Sequence, residues 1–161
     1  MIDIVGIVAS LAVALISVAL SHCIAQRIKF RSNLRGLLAE LDYNLKVLAD
    51  IRAYLGLDEE AEKESKQALT TFPKLCRFAF DYFVIEGHLL KIPKQNREKL
   101  LDIYRGFDLV NKYIEHYNET KYGVLFVTSG ATIFRKSIRK VLKKQISETE
   151  RMIKDFLKSI N

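Results

Sequence analysis

The stretch that decides the fold is Ile4–Ala25, which reads IVGIVASLAVALISVALSHCIA and contains no Asp, Glu, Lys or Arg. As a helix, its 22 residues rise about 33 Å, slightly more than the roughly 30 Å hydrocarbon core of a bilayer. A helix also satisfies its own backbone polar groups, which lipid cannot do. The sequence therefore predicts a transmembrane helix, with residues 1–26 as the anchor and residues 27–161 as a separate domain.

Three other interpretations of the apolar stretch are weaker. A cleaved signal peptide needs a positively charged start, whereas this chain begins Met-Ile-Asp. A lipoprotein signal needs small residues before its cysteine, and His22 occupies such a position before Cys23. A buried helix of a soluble protein would be unusually long. We therefore expect an uncleaved anchor.

The charges on either side of the anchor predict its orientation. Asp3 precedes it, and four basic residues follow it: Arg27, Lys29, Arg31 and Arg35. Because positively charged flanks stay on the cytoplasmic side, we expect the N-terminus outside and residues 27–161 in the cytoplasm. The four basic residues then flank the membrane at headgroup level. The chain has two cysteines, Cys23 and Cys76, and free thiols suit a reducing compartment.

Small residues recur every four positions inside the anchor, at Gly6, Ser10 and Ala14. This spacing lets two membrane helices approach closely, so a homodimer through this face is one expectation. The alternative is that small residues are simply common in short anchors.

The body of the chain shows helical periodicity. Leucines at 34, 41, 48 and 55 form an apolar stripe. Since no proline and no glycine before Gly36 separates the stripe from the anchor, the two can form one long rod. We expect Gly56 to end this helix and Asp58 to cap the next, and we expect Pro73 either to kink that next helix or to divide it into helices 59–71 and 74–86.

The second half of the body predicts two more helices. Residues 87–92 are a connector, and Pro93 suits the first turn of a helix that ends near residue 118. The short apolar run 124–127 either leads into the last helix or packs as a strap. Ser129 is a candidate cap for a final helix over about 130–159. Short joints favour antiparallel neighbours, so we predict an all-α fold, the anchor being followed by an antiparallel bundle of about four helical segments.

Signatures of catalysis and cofactor binding are weak. The three histidines lack metal-site spacing, and Asp81, Glu86 and His88 are expected to be surface residues around a turn. The seven glycines are isolated, so none forms a phosphate-binding loop. Cys76 lies beside Arg77, but its aromatic neighbours indicate a core position. We therefore expect no enzymatic activity, metal or cofactor.

Positive charge is concentrated near the C-terminus, where residues 124–161 contain nine Lys or Arg and three Asp or Glu. Most of the basic residues between 135 and 144 fall on an arc away from the apolar stripe of Phe134, Ile138 and Leu142. They form a candidate polyanion-binding surface; the alternative is a merely solvated face. The six residues are Arg135, Lys136, Arg139, Lys140, Lys143 and Lys144.

Three short segments support a resemblance. They are residues 37–45 (LLAELDYNL), residues 90–93 (LKIP), and residues 99–104 (KLLDIY) with Asn111 beyond. In this arrangement after an anchor, the chain resembles small uncharacterised single-pass membrane proteins that carry a helical cytoplasmic domain. The resemblance implies an anchor followed by helices, and it transfers no activity and no functional residue.

Taken together, these features predict a membrane-tethered helical interaction module. Its basic cytoplasmic bundle would be presented to a protein partner. The alternative is a membrane-tethered binder of nucleic acid or another polyanion through residues 135–144.

Overall fold

The computed structural model describes residues 4–63, 72–122 and 129–160, and the side chains within residues 10–57, 72–119 and 133–160. Within these ranges the regular secondary structure is entirely helical, without strands. The elements are α1 (Ile4–Lys63), α2 (Phe78–Ile85), a 3-10 helix (His88–Lys91), α3 (Lys94–Tyr122) and α4 (Ser129–Ile160). The predicted all-α class is therefore confirmed.

α1 is one unbroken helix that contains both the apolar stretch and the first helix of the body. The predicted rod is thus confirmed, but the prediction that Gly56 ends it and Asp58 caps a new helix is wrong. One glycine costs a helix only about 1 kcal/mol. The flanking residues offset that cost, because Leu55 is buried on one side and the helix-forming run Glu59–Glu62 follows on the other.

The segment after α1 differs from the predicted pair of helices. Residues 59–63 belong to α1, and the rest of the predicted helix 59–71 lies outside the described residues. Residues 72–77 are not helical, and α2 begins only at Phe78. The prediction of a helix over 74–86 is therefore wrong in its first turn.

A tight turn connects α2 to the remaining helices. Gly87 has φ 68°, a left-handed conformation that glycine adopts without steric cost. The 3-10 helix follows, and α3 begins at Lys94, one residue after the Pro93 that was predicted for its first turn. α3 runs four residues past its predicted end, the apolar run 124–127 lies outside the described residues, and α4 agrees with its predicted bounds.

The core is built from one apolar stripe on each long helix. α1 and α3 contribute most of its fully buried side chains, and α4 closes it. α3 and α4 approach closely at Gly106, where an added Cβ would lie 2.9 Å from the hydroxyl of Thr149. The buried residues include Leu37, Leu41, Leu48, Ile51, Leu55, Leu100, Ile103, Phe107, Val110, Ile114, Leu142, Ile146, Ile153 and Phe156.

The N-terminal half of α1 is not part of this core. Its large apolar side chains between Leu11 and Ile28 are all exposed. Within the described part of the chain, α1 is the one helix long and apolar enough to cross a membrane, judged by length and composition alone.

Candidate functional site

The four basic residues that flank the apolar stretch do not share one environment. Arg27, Arg31 and Arg35 are exposed. Lys29 is also exposed, but it forms an ion pair with Glu86, with 2.6 Å between Nζ and Oε2. The hydrogen bond with Glu86 raises the pKa of Lys29, and the same bond lowers the pKa of Glu86. Lys29 thus ties the turn after α2 to α1.

An aromatic cluster lies directly beside this ion pair. The ring centroids of Phe30 and Phe83 are 5.8 Å apart, and the His88 ring lies 5.4 Å from each of them. His88 is almost completely buried, and neither ring nitrogen has a hydrogen-bond partner among the described residues. Burial lowers the pKa of His88, so the structure favours its neutral form. The prediction that His88 is a surface residue is therefore wrong.

Two asparagines hold the non-helical segment 72–77 between α1 and α3. The Asn44 amide donates to the Cys76 carbonyl at 2.7 Å, and its oxygen accepts from the Cys76 N–H at 2.9 Å. Asn111 makes the same pair of bonds to Leu75, at 3.1 and 2.7 Å. These bonds satisfy buried backbone groups that no helix or sheet satisfies here, so the asparagines act as a clamp on the chain.

Glu40 supports the start of α2 from outside that helix. Its carboxylate accepts hydrogen bonds from the backbone N–H groups of Ala79 at 2.7 Å and Phe80 at 3.3 Å, and from the Tyr104 hydroxyl at 2.6 Å. Such N–H groups at a helix start have no partner within the helix. Burial and the bond to Glu40 raise the pKa of Tyr104. Glu40 is therefore a structural cap.

Arg77 fixes the other side of the same region. It bonds both Asp81, on α2, and Asp108, on α3. The hydrogen bonds to these carboxylates raise the pKa of Arg77, the larger effect coming from Asp81. Asp81 is thus engaged in an ion pair, and in the described ranges no group of three or more His, Cys, Asp or Glu is arranged to hold a metal ion.

The structure divides the six basic residues of α4. Lys136, Lys140 and Lys144 are exposed, while Arg135 and Lys143 are half-buried. Arg139 is only 5% exposed; its Nη2 donates to the Tyr117 hydroxyl at 3.2 Å, and its guanidinium lies 5.9 Å from that ring. Arg139 therefore belongs to the packing between α3 and α4. Of the six predicted residues, the exposed ones therefore form a row of Lys136, Lys140 and Lys144, spaced by four residues.

Apolar side chains lie next to this row. Ile133 and Phe134 are more than half exposed, and Val141 is partly exposed. The expectation that Phe134 belongs to the buried stripe is wrong, because eight residues separate it from Leu142 and the two point about 80° apart around the helix. The α4 surface (Ile133, Phe134, Lys136, Lys140, Val141 and Lys144) is consequently both apolar and basic.

Comparison with known proteins adds no identification. No family model matches the chain, and no curated protein or solved structure is significantly similar to it.

Glu40, Asn44 and Asn111 were not predicted from the sequence to be structural residues. One signal was present, because Asn44 lies on the apolar stripe, between Leu41 and Leu48. A polar side chain on a buried stripe needs a hydrogen-bond partner, and that requirement points to a non-helical segment packed against it. Both cysteines are free, Cys23 being exposed and Cys76 half-buried.

Proposed function

We propose that this protein is a membrane-tethered helical interaction module that presents its bundle to a cytoplasmic protein partner. The observation that carries the proposal is the α4 surface, where exposed Ile133 and Phe134 adjoin the row Lys136, Lys140 and Lys144. Exposed apolar side chains beside basic ones suit a partner that is both apolar and acidic. Nucleic acid backbones would use the charges but leave the apolar side chains in water.

The tether is supported by the continuity of α1. The apolar stretch, exposed from Leu11 onward, and the buried stripe belong to the same helix, so we infer that residues 4–25 cross the bilayer and hold the bundle close to it. The basic flank favours a cytoplasmic bundle and an external N-terminus. A C-terminal reporter active only on the external face would contradict this orientation. Release of the chain from vesicles by alkaline carbonate would contradict the tether itself.

We also infer that neighbouring helices alternate in direction. Along α1, Phe30 comes before Asn44. Their contacts on the second segment come in the reverse order, because Phe30 contacts Phe83 and Asn44 contacts Cys76. The same reversal relates α3 and α4, because Gly106 lies by Thr149 and the later Tyr117 lies by the earlier Arg139. Tyr117 is 23 residues from Lys94, about 35 Å along α3. The α4 surface then lies far from the headgroups, which favours a protein over lipid as its partner.

The test is co-purification from native membranes with matched variants. We expect a partner to be retained by the wild type and by Leu109→Ser, which removes an exposed leucine from α3. The same partner should be lost from the double variant Ile133→Ser, Phe134→Ser. Equal retention by both variants would rule out the α4 surface as the binding site.

Polyanion binding remains the alternative because three exposed lysines form a single row. Binding through that row predicts retention on a polyanion column that falls steeply with salt. The triple variant Lys136→Ser, Lys140→Ser, Lys144→Ser should then elute earlier than the charge-matched control Lys46→Ser, Lys112→Ser, Lys158→Ser. Identical elution of the two variants would discard this alternative.

We further propose that the anchor dimerises through its face of small residues. Ser10 and Ala14 are exposed, whereas the surroundings of Gly6 lie outside the described side chains. Crosslinking of the solubilised protein, compared with Ala14→Leu, would detect a dimer that depends on this face.

A further inference from the structure

We propose that the turn between α2 and α3, residues 85–94, is a second membrane contact that rests in the headgroup layer. The turn contacts the bilayer directly. Ile85 and Leu90 contact the acyl chains of lipids, and Lys91 and Lys94 contact anionic headgroups. This inference rests on the proposed function, because it requires α1 to cross the bilayer.

The position of the turn is fixed by two contacts on α1. Glu86 pairs with Lys29, and His88 packs on Phe30. Lys29 is four residues beyond Ala25, the end of the apolar stretch, which corresponds to about 6 Å along the helix. The headgroup region adds about 5–8 Å on each side of the hydrocarbon core. The contacts therefore place the turn at the depth of the headgroups.

The chemistry of the turn fits that depth. Ile85 is 80% exposed and Leu90 is 75% exposed, on either side of Gly87. Lys91 and Lys94 are exposed next to them. Aliphatic side chains that reach toward acyl chains, with lysines at their edge, are the composition of surfaces that lie in a membrane interface.

The contact is limited to the turn. Phe78 is also exposed on α2, but its neighbour Ala79 bonds Glu40. Glu40 is eleven residues beyond Lys29, about 16 Å further along α1. Phe78 therefore lies beyond the headgroup layer, on the side of the bundle. The distance along α1 from the end of the apolar stretch thus decides which exposed residues contact lipid.

The absence of tryptophan from the sequence allows a direct test with the full chain in phosphatidylcholine–phosphatidylserine vesicles. Three variants each carry one tryptophan in place of an exposed leucine: Leu15→Trp in the span, Leu90→Trp in the turn and Leu57→Trp near the far end of α1. Vesicles containing brominated lipid quench a tryptophan that contacts the bilayer. We expect strong quenching and blue-shifted emission for Leu15→Trp and Leu90→Trp, and unquenched emission for Leu57→Trp.

The outcomes separate this inference from the proposed tether. Quenching of Leu15→Trp without quenching of Leu90→Trp overturns the second contact and leaves the tether standing. No quenching of Leu15→Trp overturns both. Quenching of all three shows that the whole bundle lies on the membrane, which also overturns the inference. If Leu90→Trp alters the circular dichroism of the protein, Ile85→Trp replaces it as the reporter.

A charge variant tests the role of the lysines. Quenching of Leu90→Trp should increase with the phosphatidylserine fraction, and Lys91→Ser with Lys94→Ser should abolish that increase. The control pair Lys46→Ser with Lys112→Ser removes equal charge from exposed sites elsewhere and should preserve it. Loss of the increase in both pairs would contradict a specific role for the turn.

Discussion

The two halves of α1 contain similar apolar residues but place them in opposite surroundings. In the first half, Leu15 is 71% exposed, and apolar residues surround the helix axis. In the second half, Leu41 and Leu48 are fully buried, and charged residues such as Asp42 occupy the other side. The second half, with apolar residues on one side only, packs against the other helices. The first half, with apolar residues on all sides, does not. The distribution of apolar residues around the helix axis thus distinguishes the two halves better than their number does.

The largest expected effect tests this contrast with one substitution in each half. Leu48→Ala removes a fully buried side chain, and we expect it to lower the free energy of unfolding of the bundle by about 2–5 kcal/mol. Leu15→Ala should change it by less than about 0.5 kcal/mol, since Leu15 contributes nothing to the core. Urea unfolding in detergent micelles, followed by the near-ultraviolet circular dichroism of the tyrosines, measures both. Equal losses would mean that the span also packs on the bundle.

The next effect concerns the clamp that belongs only to the buried half. Asn44→Ala leaves the N–H and carbonyl of Cys76 without these partners, and we expect a loss of about 1–3 kcal/mol. The control Asn96→Ala, at a half-buried position near the start of α3, should cost less than about 0.5 kcal/mol. The same unfolding experiment measures both, and a similar cost at the two positions would contradict the clamp.

The segment held by the clamp could not be predicted from the sequence, whereas the long helices could. The stripes of α1, α3 and α4 follow from periodicity, because each buries one face over many turns. Residues 75–80 (LCRFAF) are uniformly apolar apart from Arg77, so their pattern does not distinguish a helix from an extended segment. The distinction comes from Asn44 and Asn111, which lie more than thirty residues away in sequence.

The α4 surface was predicted in part for a similar reason. The helical arc places Lys136, Lys140 and Lys144 on one row directly from the sequence. Arg139 lies near the edge of the buried face, and its burial depends on the Tyr117 ring that α3 supplies. Spacing along one helix does not reveal a partner on another helix. Whether a residue at the edge of the buried face is buried therefore depends on tertiary packing.

A smaller effect is expected at the turn where the bundle meets the uncovered half of α1. Gly87→Ala forces a side chain into a left-handed conformation and should destabilise the bundle by about 1 kcal/mol. Gly36→Ala makes the same change inside α1, where nothing lies within 4 Å of the added Cβ. It should stabilise the protein by about 0.5–1 kcal/mol. Thermal unfolding of both variants checks the opposite signs; a shared sign would show that backbone conformation does not decide the outcome.

The smallest expected effect is a pH dependence from His88, which packs where the two halves of α1 meet. Burial lowers the pKa of His88 below its ordinary value of 6.5; the charges of Lys91 and Lys29 lower it further, and that of Glu86 opposes them. In the unfolded chain His88 binds a proton as pH falls below 6.5, while the folded protein resists protonation. Stability is therefore complete above that pH and decreases as the solution is acidified.

His88→Phe should remove the contribution of His88 to this dependence, since a phenyl ring fits beside Phe30 and Phe83 and carries no proton. The free energy of unfolding, measured between about pH 7.5 and 5.5, a window that brackets histidine titration, should fall with acidification in the wild type. It should fall less in His88→Phe. A slope equal to that of the wild type in His88→Phe would contradict the assignment of the pH dependence to His88. Glu86 affects the free energy of unfolding at lower pH, because its bond to Lys29 lowers its pKa below the ordinary value of 4.5. Its stabilising contribution is lost only as the pH falls below 4.5, outside the window used for His88.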